Sequence, residues 1–226
     1  MGEENNTEKN KLRAALYVDG FNIYHPLHEF DEPFLKWLDL RALGEMIIPS
    51  RSQHLVITKY FSALRPDMGG SKNRHNAYIN ALSARDVYVE RGHYVTQPRK
   101  CNDCGMSREE NSEKQTDINM ALAAVMDAQD DLFDVGYLLT ADSDHAASFR
   151  VLRQRFPQKR LVSVLPPDRP SSDKIMQYAD AKIHLNKLHI EKCLFPGFVN
   201  GKKGIIRRPA AYDPPEWWVP PHLRAK

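Results

Sequence analysis

Ala14-Ala15-Leu16-Tyr17-Val18-Asp19-Gly20-Phe21-Asn22 decides the fold, together with its counterpart Val135-Gly136-Tyr137-Leu138-Leu139-Thr140-Ala141-Asp142-Ser143-Asp144. Each is a short apolar run that stops at a carboxylate. A continuous run of about five apolar residues bounded by turn signals reads as a strand buried on both faces of a parallel sheet. Ligands of such sheets bind beyond the carboxyl ends of the strands, where the winding direction reverses. Carboxylates gathered there repel one another and call for a compensating cation. Oxygen ligands of this kind suit Mg²⁺ or Mn²⁺.

Working outward, strand and helix patterns alternate. Trp37 to Leu43 starts a helix that Pro49 ends, and His54 to Ala63 is a β-branched, apolar strand. Lys72 to Ala84 has helical spacing through Ala77, Ile79, Asn80 and Leu82. Val87-Tyr88-Val89 and His93-Tyr94-Val95 flank Gly92 as a third strand with a kink or bulge. Gln97 to Lys114 reads as a polar loop. Thr116 to Ala128 reads as a helix capped by Thr116, with Ile118, Ala121, Leu122 and Val125 on its inner face. A helix from His145 to Arg155, a strand from Leu161 to Leu165, a short helix capped by Ser172 and an edge strand from Ala181 to Leu185 complete the pattern. Such alternation predicts an α/β fold, with helices on both faces of a mostly parallel sheet of five or six strands.

The chain has 226 residues, 42% hydrophobic, enough for the core of one α/β domain. Residues 1–11 read as a disordered leader without a secretory signal, 12–192 as the domain, and 193–226 as a Pro/Trp-rich tail packing on it or extending from it. No stretch reaches the ~18 consecutive apolar residues of a membrane span. Three cysteines form no paired disulfide framework, which points to a reducing, cytoplasmic setting. A net charge of +3 permits a nucleic acid partner without demanding one.

Each candidate residue also has an ordinary structural role open to it. Asp19 can cap a helix or turn, as can Asn22, whose amide oxygen can equally join a metal or hold a water. Ser143 or Asp144 can cap the helix at His145, which leaves Asp142 unexplained. Asp117 lies in a first helical turn, where the dipole favours any acid. Lys114, Arg65, Lys72 and Arg74 are either phosphate contacts or a solvated charged face. Phe21 and Tyr24 can stack on a base, Phe21 equally being core. Cys101-x-x-Cys104 is half of a zinc site that His93, Cys193 or a second protomer would have to complete; two unmetallated loop cysteines are the favoured reading. His25, His28 and His54 lack ligand spacing.

Three motifs occur in order: Val18-Asp19-Gly20-Phe21-Asn22, Lys114-Gln115-Thr116-Asp117-Ile118-Asn119 and Leu139-Thr140-Ala141-Asp142-Ser143-Asp144. From about Arg13 to Leu185 the chain resembles the NYN-domain family of PIN-like (LabA-like) metal-dependent ribonucleases. That resemblance implies a Rossmann-like three-layer sandwich with strand order 3-2-1-4-5. It implies a phosphodiesterase site of Asp19, Asp117, Asp142 and Asp144 holding Mg²⁺ or Mn²⁺, with Asn22 assisting. It also implies RNA, single-stranded or in structured loops, as partner; with such a substrate, Lys114, Ser143, Phe21, Tyr24, Arg65, Lys72 and Arg74 are the candidate contacts. A homodimer is the further partner considered. After Asp-Ser-Asp the family usually carries Phe or Tyr, and this chain carries His145. Two other classes compete. A non-catalytic RNA-binding or scaffold protein would have little reason to keep clustered carboxylates. A phosphatase of the haloacid dehalogenase type would want Asp-x-Asp-x-Thr where Asp19-Gly20-Phe21-Asn22-Ile23 stands.

Overall fold

A computed structural model describes residues 11–64, 69–100 and 105–224. Strand β1 (Leu12–Asp19) lies at the middle of a seven-stranded sheet. Beside it on one side are β2 (Gln53–Ala63), β3 (Val87–Lys100) and β4 (Ser107–Lys114). On the other side come β5 (Val135–Leu139), β6 (Arg160–Leu165) and β7 (Ala181–His184). Every pairing is parallel except β3 with β4. The order is β4-β3-β2-β1-β5-β6-β7, so the α/β class and the central order agree with the sequence pattern, and β4 is an addition. Winding reverses between β1 and β5.

Ala14 to Val18 are wholly buried, as a strand covered on both faces requires. Ala14, Leu16 and Val18 face one core, with Phe34, Trp37, Leu40 and Leu43. Ala15 and Tyr17 face the other, with Met120, Ala124, Phe149 and Leu152. The helices that cover these faces are α1 (Gly20–Glu29), α2 (Leu40–Ile47), α3 (Gly69–Ala84), α4 (Thr116–Gln129), α5 (Ala146–Arg155) and the shorter α6 (Asp173–Met176) and α7 (Lys187–Lys192). No helix among the described residues is long and apolar enough to cross a membrane.

Four local readings are corrected. Residues 97–100 and 107–114, expected to lie in a loop, are strand: β3 runs on to Lys100 and pairs antiparallel with β4 from His93↔Lys114 to Lys100↔Ser107, while Cys101 to Cys104 lie outside the described residues. Gly92 is not a bulge but the point where β3 exchanges its parallel partner β2 for β4. A Cβ there would stand 2.5 Å from the Lys114 carbonyl oxygen and 2.7 Å from Thr116 Oγ1, so the close approach requires glycine. Helix α4 turns a different face inward. Thr116, Met120, Ala124, Asp127 and Ala128 are buried, whereas Ile118 and Leu122 are 60% and 55% exposed. Its apolar residues run nearly all round the helix, so packing of the small Ala124 and Ala128 against the sheet sets the rotation. Thr116 is also not the cap of α4. Gln115 holds that position with φ +79°, and Thr116 is the first helical residue.

The C-terminal segment folds back over the domain. A hairpin of β8 (Phe198–Gly201) and β9 (Gly204–Arg207) precedes it. Trp218 packs on Phe34 at 5.1 Å between ring centroids, and its indole N–H donates to Glu191 Oε1 at 3.1 Å. Arg224 grips the same carboxylate through two hydrogen bonds. A short turn, Ala210–Tyr212, lies between these contacts and β9.

Candidate active site

Asp19 is the last residue of β1, and it is both a helix cap and a site carboxylate. Its Oδ1 accepts the backbone N–H of Phe21 (3.0 Å) and Asn22 (3.1 Å), which starts α1. Its Oδ2 accepts the Asn22 side-chain amide and, at 3.3 Å, the Thr140 hydroxyl. The other end of the Asn22 amide, Oδ1, accepts Ala141 N–H at 3.0 Å. That amide thus ties the end of β1 to the end of β5, rather than facing a metal or water with a free oxygen. Gly20 lets α1 sit directly on β2: a Cβ would be 2.5 Å from the Phe61 carbonyl oxygen.

Asp142 is the cap of a one-turn 3₁₀ helix, Ser143–His145, its Oδ1 accepting Asp144 N–H at 2.9 Å. Capping therefore falls to Asp142, not to Ser143 or Asp144, because the chain tightens into a 3₁₀ turn before α5 begins. Asp142 also lines the cleft beyond the strand ends. Asp144 is exposed and Ser143 half-buried on the same turn. Asp117, the second residue of α4, reaches toward the same point.

His145 completes the arrangement. It is 2% exposed, and its Nε2 lies 3.6 Å from Asp117 Oδ1 and 3.8 Å from Asp19 Oδ2. One donor atom each from Asp19, Asp117 and His145 fall within 4.8 Å of one another. Burial raises the Asp19 carboxyl above its ordinary range, against the opposing pull of Asn22 and His145. The His145 ring holds Asp117 below its ordinary range. Burial lowers the pKa of His145 itself, but Asp117, Asp19 and Asp142 outweigh it, and the net shift is upward. Two carboxylates and a buried imidazole whose Nε2 has no hydrogen-bond partner among the described residues form a donor set that suits a divalent cation.

These groups stand at one end of a cleft of about 870 Å³. Of the predicted substrate contacts, Phe21, Tyr24, Lys72 and Arg74 line it. Lys114 is exposed at the end of β4. Arg65, Cys101 and Cys104 lie outside the described residues. His93 is bonded to Gln115 (3.1 Å), and Cys193 is buried in the core with Sγ 3.7 Å from Met46 Sδ. His25, given no role on spacing, also lines the cleft. Sequence reasoning missed Tyr60, Tyr78, Tyr94, Tyr212 and Lys36, which come from five separate segments and surround the same space. Burial pushes the Tyr60 hydroxyl up to about 12, so it remains a neutral donor.

A sequence profile of the NYN domain matches residues 13–186. The 6-hydroxy-3-succinoylpyridine 3-monooxygenase HspA of Pseudomonas putida is 26% identical over 245 aligned positions, covering 91% of this chain and 77% of that protein. The crystal structure of a protein of unknown function from Vibrio parahaemolyticus is similar in fold, with a TM-score of 0.51 and 18% identity, over 79% of this chain and 95% of the other. The profile takes in every strand of the central sheet and all of the clustered side chains, and the chain belongs to the NYN-domain family of PIN-like nucleases.

Proposed function

We propose that the protein is a metal-dependent nuclease that hydrolyses phosphodiester bonds, with single-stranded RNA as its substrate. The observation that carries this reading is the buried Asp19 carboxylate at the β1/β5 reversal, with Asp117, Asp142 and His145 converging on it. Asp19, Asp117 and Asp142 are the residues that would hold Mg²⁺ or Mn²⁺, and Asp144 on the adjacent turn would complete the acidic set. When bound, such an ion neutralises phosphate charge and makes water a stronger nucleophile at neutral pH. Asn22 and Thr140 keep Asp19 oriented through their hydrogen bonds to its Oδ2. Lys36, Lys72 and Arg74 supply positive charge along the cleft for neighbouring phosphates, and Phe21, Tyr24 and Tyr94 offer ring faces for bases. Hydrolysis by water at this site leaves a 5′-phosphate and needs no 2′-hydroxyl.

The test is cleavage of end-labelled single-stranded RNA and DNA with Mn²⁺, Mg²⁺ or EDTA. Cleavage with the metals and none with EDTA is expected, with 5′-phosphate ends. Asp142→Asn, which changes charge and not shape, should abolish it while the far-ultraviolet circular dichroism stays unchanged. An Asp142→Asn protein that cuts at the wild-type rate would refute the assigned site.

A second reading, oxygenation of a small aromatic ring, is favoured by the relative named as a pyridine monooxygenase and by the tyrosine-lined cleft. It requires O₂ and a two-electron donor. Oxygen uptake with NADH and a hydroxypyridine acid, alongside inert RNA, would select it over hydrolysis.

A further inference from the structure

Directly after Asp142-Ser143-Asp144 this chain carries an imidazole, His145. It sits on the 3₁₀ turn that Asp142 caps, with its backbone N–H donating to the Asp142 carbonyl at 3.2 Å. The turn directs the ring inward, where it is buried, and its Nε2 has no hydrogen-bond partner among the described residues. A buried nitrogen of this kind ordinarily finds a donor or acceptor. Here it faces two carboxylate oxygens at 3.6 and 3.8 Å, too far for hydrogen bonds. Donor atoms bound to one ion at ~2.1 Å stand roughly 3–3.5 Å apart. The three donor atoms all lie within 4.8 Å of one another, so closure of the carboxylates around the ring would let them share an ion.

We propose that His145 Nε2 is itself a ligand of the cation held by Asp19 and Asp117, and that it biases the site toward a first-row transition ion and away from Mg²⁺. The proposal rests on the metal centre of the nuclease reading but not on its substrate. Mg²⁺ favours an all-oxygen shell and surrenders water reluctantly. Imidazole is a borderline ligand that suits Fe²⁺, Co²⁺ and Zn²⁺, and Mn²⁺, otherwise an oxygen-seeking ion, still accepts it more readily than Mg²⁺ does. An all-oxygen set of ligands would lack this preference. The protein would then be selective at its catalytic centre through a residue outside the shared acidic motif.

The experiment uses the full chain stripped of metal. Calorimetric titration with Mn²⁺, Co²⁺ and Mg²⁺ is compared for wild type, His145→Phe, His145→Gln and Asp19→Asn. Loss of the imidazole should weaken Mn²⁺ and Co²⁺ binding at least about tenfold while Mg²⁺ changes little, since even outer-shell partners of a metal are worth that much. His145→Gln keeps a polar ligand of oxygen type, and guards against a Phe variant that does not fold. Pulsed electron paramagnetic resonance of the Mn²⁺ form should show coupling to a ¹⁴N nucleus in wild type and none in either His145 variant. Mn²⁺ bound without nitrogen coupling, or unchanged ion preference in both variants, would overturn the proposal and leave the nuclease reading standing. Nitrogen coupling in a protein that cuts no RNA would support the ligand and sink the nuclease. If no ion binds and Asp19→Asn behaves as wild type, both fall.

Discussion

Asp19 performs two functions that substitution can separate. Replacing it with Asn leaves an oxygen for the α1 cap but removes the charge. In Asp19→Asn the amide nitrogen cannot accept, so the contact from the Asn22 amide is given up, at about 1 kcal/mol, while the Thr140 hydroxyl can turn to accept from it. Relief from burying a carboxylate offsets that loss. Stability without metal should therefore stay within about 1 kcal/mol of wild type. Asp19→Ala removes every acceptor. The cap is worth about 0.5–2 kcal/mol, and the Asn22 amide and Thr140 hydroxyl are left unpaired, so a loss of about 2–3 kcal/mol is expected. For a chain of this size that corresponds to a fall of about 4–12 °C in Tm. Metal separates the variants differently. With Mn²⁺ at a hundred times its Kd, wild type should gain about 2.7 kcal/mol, or about 5–11 °C, and both variants should lose most of that gain. Differential scanning fluorimetry with and without Mn²⁺ reads all four quantities. If Asp19→Asn kept the full Mn²⁺ shift, the ion would lie elsewhere. If Asp19→Ala and Asp19→Asn melted together without metal, the capping share would be wrong.

Beneath the site, Asp127 accepts a 2.8 Å hydrogen bond from Tyr17 and pairs with Lys59 at 2.8 Å, both charged side chains being mostly buried. Asp127→Ala should cost about 3–5 kcal/mol in urea denaturation, while Lys59→Met with Asp127→Leu should recover most of it; equal losses in both would mean that packing, not an orphaned charge, is responsible. Gly20→Ala should cost about 1–3 kcal/mol by forcing α1 off β2, and it should weaken Mn²⁺ binding through Asp19; a neutral effect on Tm would show that the contact at the Phe61 carbonyl is soft. Arg13 holds the Asp134 carboxyl at about 2, below its ordinary value, through hydrogen bonds of 2.7–3.1 Å. A depressed folded-state pKa gives stability that is present above the unfolded value near 4 and is lost as pH falls toward 2, so Arg13→Met should flatten the pH dependence of Tm in that window. An unchanged slope would assign acid unfolding to other carboxylates.

The central sheet was legible because parallel strands covered on both faces cannot alternate, and their apolar runs stand out of the sequence. Besides α7 and the β8/β9 hairpin, two pieces of regular structure that the sequence pattern does not announce lack such a signature for opposite reasons. Ser-Arg-Glu-Glu-Asn-Ser-Glu-Lys of β4 carries no apolar residue, and it is held to β3 by backbone pairing. Helix α1 opens on Gly20 and carries Pro26 inside it, a residue that forfeits a backbone hydrogen bond. It exists because Asp19 caps it and Ile23 and Leu27 are buried beneath it. Local preference spoke against both, and tertiary contacts decided.

At the site, Asp19 and Asp142 were readable because they follow from strand position: a residue at or just beyond the end of a buried run must sit at the end of the sheet, whereas Asp117 stands in the first turn of a helix, where an acid is unremarkable. His145 follows from no such rule. Whether the residue after Asp-Ser-Asp points to solvent or to Asp19 depends on the 3₁₀ turn, which Asp142 closes by accepting Asp144 N–H. The tyrosines of the cleft are harder still. Tyr60 comes from β2, Tyr78 from α3, Tyr94 from β3 and Tyr212 from the tail, and no spacing relates them. Tyr212 reaches the cleft because the chain beyond β9 returns along the domain, held farther on by Trp218 on Phe34 and by Arg224 on Glu191. The Pro-rich segment thus has a stake in the site: the part of the cleft wall that Tyr212 supplies depends on the course of the returning chain.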